Sequence, residues 1–278
     1  MTTALQRITV ARPAGLRDLP GQVRQLLAWR GLLLALVARD LKARYKHSVI
    51  GFFWSLLNPL LMMTIFTIVF QVLWANNTIP LYPLFVLTGL LPWNWCAGAI
   101  TAGVGSIVHN GHLITKVAFP REVLPLAVVI AHGVNFLLAL IPLFALLVLF
   151  GAPFTPALLL LPGVVLVQGL FLGGLVLFLA ALNVFFRDTA VIVEVLLLGW
   201  FFLTPVFYRV EDLTRTAARV LYIVNPMASL LACYRQIFLH GVVPAPDFLA
   251  RTAVECGLIF LGGYLFFLRL APRFAEEV

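Results

Sequence analysis

Arg39–Leu60 reads RDLKARYKHSVIGFFWSLLNPL, and its charge stops partway along. Five charged side chains, Arg39, Asp40, Lys42, Arg44 and Lys46, fall in its first eight residues, and His47 follows. From Val49 to Leu73 there is no ionisable side chain. A basic segment abutting an apolar run marks the cytoplasmic edge of a bilayer, where Lys and Arg orient the chain and meet anionic lipid heads. The rest of the chain is arranged around that edge.

The chain has 278 residues, of which 62% are hydrophobic and 11% charged. Soluble domains carry roughly 25% charged and 45–50% apolar residues. With a mean hydropathy of +1.04, the composition is that of an all-α polytopic membrane protein. The net charge is +8. Nine of the nineteen Lys and Arg precede His47, and the others are scattered. No basic face carries aromatic platforms, so nucleic acid is not an expected partner. Cys96, Cys233 and Cys256 are far apart and form no CxxC pair. They read as buried thiols, not as a metal site or a disulfide framework.

In order, residues 1–21 read as a basic cytoplasmic arm and 22–47 as an amphipathic interfacial helix. In that helix Val23, Leu27, Leu34, Val37, Leu41 and Tyr45 share a face opposite Arg24, Arg39, Lys42 and Lys46. Residues 48–278 form a single transmembrane domain. Its expected spans are Gly51–Trp74 with a kink at Pro59, Tyr82–Val108, Glu122–Phe150, Ala157–Phe186, Ala190–Tyr208 broken near Pro205, and Phe248–Leu270. The second span ends in small residues, Ala97, Gly98, Ala99, Ala102 and Gly103 among them, and the fourth carries Gly169-x-x-x-Gly173. Both patterns let helices approach closely in lipid. Between spans five and six, Asn225-Pro226 divides two short outer helices, Glu211–Val224 and Pro226–Leu239, because Asn caps and Pro opens a helix. Half-polar helices of this kind suit a surface or re-entrant position. The tail from Ala271 is short and charged. With the N-terminus inside, fourteen basic residues are cytoplasmic and five lie outside, so both termini are expected in the cytoplasm.

The segment HNGHLITKVAFPR at 109–121 is too short for a domain and too polar to span. His109 and His112 are three apart, but no carboxylate or cysteine accompanies them, so no metal is expected. It reads as a cytoplasmic loop with a short helix. Other chemistry is missing from the sequence too. The three lysines, Lys42, Lys46 and Lys116, stand in no phosphate-binding loop, and HExxH and GxSxG are absent. Of the carboxylates inside spans, Glu194 lies near the inner end of the fifth, and Glu255 can pair with Arg251 one turn away. Neither demands ion coupling. The chain is therefore expected to carry no catalytic residue and no energy source of its own.

Six stretches together carry a family resemblance. RDLKARYKHSVIGFFWSLLNPL, GLLPWNW at 89–95, NGHLITKVAFPREVLPL at 110–126, NVFFRD at 183–188, LTPVFY at 203–208, and NP at 225–226 followed by Arg235 occur in this order. Together they resemble the type-2 ABC exporter permeases of polysaccharides, the membrane subunits for O-antigen (Wzm type), capsule and teichoic acid. The resemblance covers nearly the whole chain from about residue 25. It implies a bacterial inner-membrane homodimer joined to two copies of a separate ABC ATPase, which holds the ATP and Mg. It implies a lipid-linked glycan as cargo, moved from the cytoplasmic face outward. It makes His109, Asn110, His112, Leu113, Ile114, Lys116, Phe119, Pro120 and Arg121 an ATPase-coupling segment and the two short helices an outer gate.

On that reading Arg39, Lys42, Arg44 and Lys46 would attract the lipid diphosphate, and Trp54, Trp93, Trp95, Trp200 and Tyr208 would stack on sugars in a pore. The plainer roles are topology for the cations and an interfacial belt for the aromatics. Two other functions compete. A type-2 permease for drugs or other lipids would share the fold. A membrane sugar-lipid enzyme would need converging acids or a nucleophile, and the sequence offers neither.

Overall fold

The computed structural model describes residues 21, 24, 26, 28–45, 53–73 and 79–277. Most of the expected arm, Lys46, His47 and the loop at 74–78 lie outside the described residues, and of Trp54 only the backbone is described. The described residues form helices and connecting turns, with no strand among them. The first helix, α1, is Arg30–Tyr45. Helix α2, Phe53–Thr67, runs on into a π-helical segment, Ile68–Leu73. Next come α3 (Tyr82–Val104), the short α4 (Gly111–Lys116), α5 (Val123–Leu149) and α6 (Leu161–Phe185). Helix α7 is Thr189–Leu203, α8 is Arg215–Val224 and α9 is Pro226–Phe238. Helix α10, Pro246–Leu270, leads through a 3-10 turn into α11, Phe274–Glu277.

Four helical stretches are long and apolar enough to cross a membrane: Tyr82–Val104, Val123–Leu149, Pro156–Phe185 and Pro246–Glu277. They occupy the expected second, third, fourth and sixth spans. Two shorter apolar helices, Leu57–Gln71 and Thr189–Leu203, occupy the first and fifth. Fifteen residues make about 22 Å of helix, short of a hydrocarbon core of roughly 30 Å. A six-span topology therefore needs both short helices to cross.

Helix α7, at the expected fifth span, ends at Leu203, not at the expected Tyr208. The residue before a proline is pushed out of the helical region, and Thr204, preceding Pro205, is extended (φ −99°, ψ 132°). Helix α10, at the expected sixth span, begins at Pro246, slightly before the expected Phe248.

The bundle is held by close backbone contact. Gly98 lies against the ring of His132, and Gly103 lies against Val176, so the small-residue half of α3 packs as expected. Of the expected glycine pair, Gly173 sits against Phe260 and Gly169 against Trp95. The tightest contact falls elsewhere, where Gly174 on α6 meets Gly263 and Phe260 on α10, backbone to backbone. There is no room for a Cβ on either glycine.

Helix α1 packs on α5 and buries Leu36 and Val37. Burial of two such side chains contributes about 3–6 kcal/mol of transfer free energy. The expected face differs here. Leu34 is 63% exposed and Leu36 is buried instead. Apolar residues occupy 32–34, 36 and 37, so hydrophobicity is spread around the helix and periodicity could not choose its inner side.

The two short helices part company. They are bent by 104° at Asn225. Helix α8 has no buried residue, whereas α9 is buried along almost its whole length. The expected start at Glu211 is corrected to Arg215, because Val210–Asp212 forms a separate 3-10 turn and the Thr214 side chain caps α8. The charged tail packs back onto the bundle. Phe274 is fully buried, edge-on to Phe267.

Candidate functional site

The coupling segment is built where α3 ends. After Val104 the chain turns, makes a 3-10 turn at Val108–Asn110 and enters α4. Asn110 ties this corner together. Its Nδ2 donates to Ser106 O at 2.8 Å, and its Oδ1 accepts from Arg39 Nη1 of α1 at 3.1 Å. Ile114 is the buried side of α4, in a cluster with Leu36, Val37, Ile107 and Phe274. His112 and Lys116 stand on the exposed side, and Val117 is exposed just beyond.

Phe119 is half-buried and Pro120 buried. Arg121 donates from Nη1 to Ala271 O, at the end of α10. Partial burial lowers the basicity of this guanidinium. The tail helix α11 in turn rests on α4. Thus α1, the 109–121 segment and the C-terminus make one platform, whose open side offers two imidazoles, one ammonium and an exposed valine. His109 is exposed, with its ring against Gly105. Among the described residues, no three His, Cys, Asp or Glu side chains converge on a possible metal position.

Of the four expected lipid-diphosphate cations, Lys46 is outside the described residues. Arg39 is held by Asp40 (3.1 Å) as well as by Asn110. Arg44 reaches His132 Nε2 of α5 at 2.8 Å. Lys42 is exposed. Two of these cations therefore already join α1 to its neighbours.

The aromatics are also divided. Trp95 lies in the core, stacked on Phe136 at 5.2 Å, with its indole N–H donated to Val129 O at 3.1 Å. Trp93 is buried, edge-on to Trp200 at 5.7 Å. Trp200 is half-buried and donates to Asn225 Oδ1 at 3.0 Å. Tyr208 is half-buried beside Phe207. A neighbouring aromatic cluster was not expected from the sequence. Phe66 of α2 and Phe70 of the π-helical segment stack on Phe207 at 6.1 and 5.0 Å, and Phe201 joins them. The i,i+4 spacing of Phe66 and Phe70 was the available signal.

Arg251 interacts with Glu255 electrostatically, and its hydrogen bond goes to Ser229 Oγ at 3.0 Å, across to α9. Its guanidinium stands 5.0 Å from the ring centre of Phe248.

The model of one family, the ABC-2 type transporter, matches residues 31–239. The chain belongs to the ABC-2 type transporter family. The matched stretch runs from α1 through α9, so it contains the 109–121 segment and the bent pair. Similar proteins extend the match over almost the full length. The O-antigen export system permease protein RfbA of Myxococcus xanthus is 41% identical over 258 residues, covering 92% of this chain and 98% of that one. A protein of the same name from Klebsiella pneumoniae is 34% identical over 248 residues, covering 88% and 94%. This ABC-2 chain is thus a multi-pass membrane protein of the transporter membrane-domain type.

Proposed function

We propose that this chain is the permease subunit of an ATP-driven exporter that moves a lipid-linked polysaccharide of the O-antigen, capsule or teichoic acid type outward across the bacterial inner membrane. The observation that carries this is the 41% identity to an O-antigen export permease across 92% of the chain. Two chains and two copies of an ABC ATPase make the exporter, and the ATPase holds ATP and Mg. Both termini and the 109–121 platform face the cytoplasm. The platform receives the ATPase through His109, His112, Lys116 and Val117. Its bonds to α1 and α10 pass the movement to the bundle. The bent pair α8–α9 forms the outer gate.

The second copy covers α2 and α7. Leu61, Ile65, Val69, Val195, Leu198 and Phe202 are all exposed on α2, its π-helical extension and α7, and these apolar segments complete six spans there. Glycan passes between the copies. Lys42 and its neighbours attract the anionic head of the cargo, and Trp200 and Tyr208 offer half-buried rings for sugars. Trp93 and Trp95 would first have to leave their present contacts.

The test is co-expression of the chain with its genomic ATPase neighbour in a strain lacking its own O-antigen permease. Co-purification of both subunits and return of surface glycan support the reading. A chain that purifies without the ATPase and leaves the glycan inside overturns it.

A further inference from the structure

A cavity of about 670 Å³ opens at the end of the bundle opposite the platform. Its wall includes Leu81, just before α3 begins, and Gly151–Pro153, just after α5 ends. Leu149, Phe150 and Leu81 are exposed around it. The mouth therefore lies where the bundle's apolar surface stops, the depth at which lipid headgroups sit.

Arg235 of α9 lies in the wall and is 7% exposed. A buried cation is costly unless acceptors or an anion compensate it. Both of its hydrogen bonds come from Nη2, to Val206 O at 2.7 Å and Phe85 O at 3.4 Å. The Phe85 ring covers one face of the guanidinium at 3.6 Å. Its Nε is buried with no partner. Glu211 is the carboxylate in the wall and interacts with Arg235 electrostatically. Even so, among the described residues Arg235 makes no ion pair within 4.0 Å. Arg209, also in the wall, is bound to Asp212 at 3.1 Å. Tyr222, Gln236 and His240 add further polar groups.

We propose that this cavity binds a phosphate-bearing lipid headgroup, with phosphate oxygens on Arg235 and acyl or isoprenoid chains along Leu81 and the exposed end of α5. Phosphate supplies the acceptors that the guanidinium lacks, in a bidentate geometry suited to Arg. The apolar mouth selects a lipid over a free ion. The site stands on its own geometry. Only its assignment to the outer leaflet rests on the transport reading.

The full-length chain, purified in detergent, is melted with dioctanoyl phosphatidylglycerol, farnesyl phosphate, dioctanoyl glycerol or inorganic phosphate. A saturable rise in melting temperature with either phosphate-bearing lipid, and none with dioctanoyl glycerol or inorganic phosphate, is the expected result. A rise with farnesyl phosphate alone assigns the site to a carrier-type lipid. A rise with phosphatidylglycerol assigns it to bulk phospholipid. Ala232→Phe, which fills the cavity and leaves the Arg235 bonds in place, should abolish the rise, and Gln236→Leu should weaken it. An equal rise with dioctanoyl glycerol or with inorganic phosphate, or a rise that survives Ala232→Phe, overturns the proposal. The assay needs no export, so its failure is separate from failure of the transport reading.

Discussion

Arg39 and Asn110 are 71 positions apart and joined by a 3.1 Å hydrogen bond. It ties α1, which carries the charge step, to the corner from which α4 projects. The bond is at the surface, so its net contribution to stability is small, roughly 0.5–1.5 kcal/mol. Its consequence is mechanical. Asn110→Ala should leave the yield and melting temperature of the purified chain nearly unchanged, while ATP hydrolysis by the assembled exporter loses its response to the permease. ATPase rates of the co-purified complex, compared with those of the ATPase alone, decide this.

Lys116 and Arg121 separate docking from folding. Lys116 is exposed on α4, whereas Arg121 holds the Ala271 carbonyl. Lys116→Glu should reduce ATPase coupling with no change in melting temperature. Arg121→Glu should reduce both, because it strands a partly buried carbonyl and loosens α10. Equal thermal effects from the two substitutions would show that Arg121 does not anchor the C-terminus.

Gly263 and Gly262 are neighbours with opposite surroundings. A Cβ on Gly263 would meet the backbone of Gly174, whereas one on Gly262 meets nothing within 4 Å. Gly263→Ala should destabilise the chain by about 1–3 kcal/mol or more, the usual cost of overpacking. Gly262→Ala should be neutral or slightly stabilising. Thermal melting of the two single variants in the same detergent tests the α6–α10 contact directly.

Asn225 has several tasks at the 104° bend. Its Oδ1 accepts from Ala228 N at 3.3 Å and from Trp200 Nε1 at 3.0 Å, and its Nδ2 donates to Thr204 Oγ1 at 3.0 Å. Asn225→Ala removes a cap worth about 1 kcal/mol. It also leaves a tryptophan N–H without its acceptor, at roughly 1–3 kcal/mol. Asn225→Asp keeps the acceptor and should recover most of the loss. Tryptophan fluorescence during unfolding would report whether Trp200 is the group released.

The sequence made the helices legible wherever local rules act without competition. Pro205 stopped α7, Asn225 and Pro226 opened α9, and the apolar lengths located α3, α5, α6 and α10. The same rules could not rank contacts. Gly169 and Gly173 carried the familiar spacing, yet Gly174 makes the closest approach, because the crossing of α6 with α10 decides which glycine faces the partner. Leu34 and Leu36 are equally apolar, and only packing on α5 chose between them. Candidate side chains were found as residue types, not as surfaces. Trp95 and Trp200 look alike in sequence, but one is sealed in the core and the other is half-open at a helix break.

The stretch from Arg39 to Leu60 shows the same division. Its charge step is a property of the sequence alone, because the cost of placing Lys and Arg in hydrocarbon does not depend on the fold. The chain's helical class, its membrane character and the absence of a phosphate loop follow from local composition in the same way. Which cations remain available does not. Arg39 is drawn to Asn110, Arg44 to His132, and Arg235 beneath Phe85, by groups between 71 and 150 residues away. Such partners are chosen by helix packing, which brings distant carbonyls, amides and rings within hydrogen-bond reach.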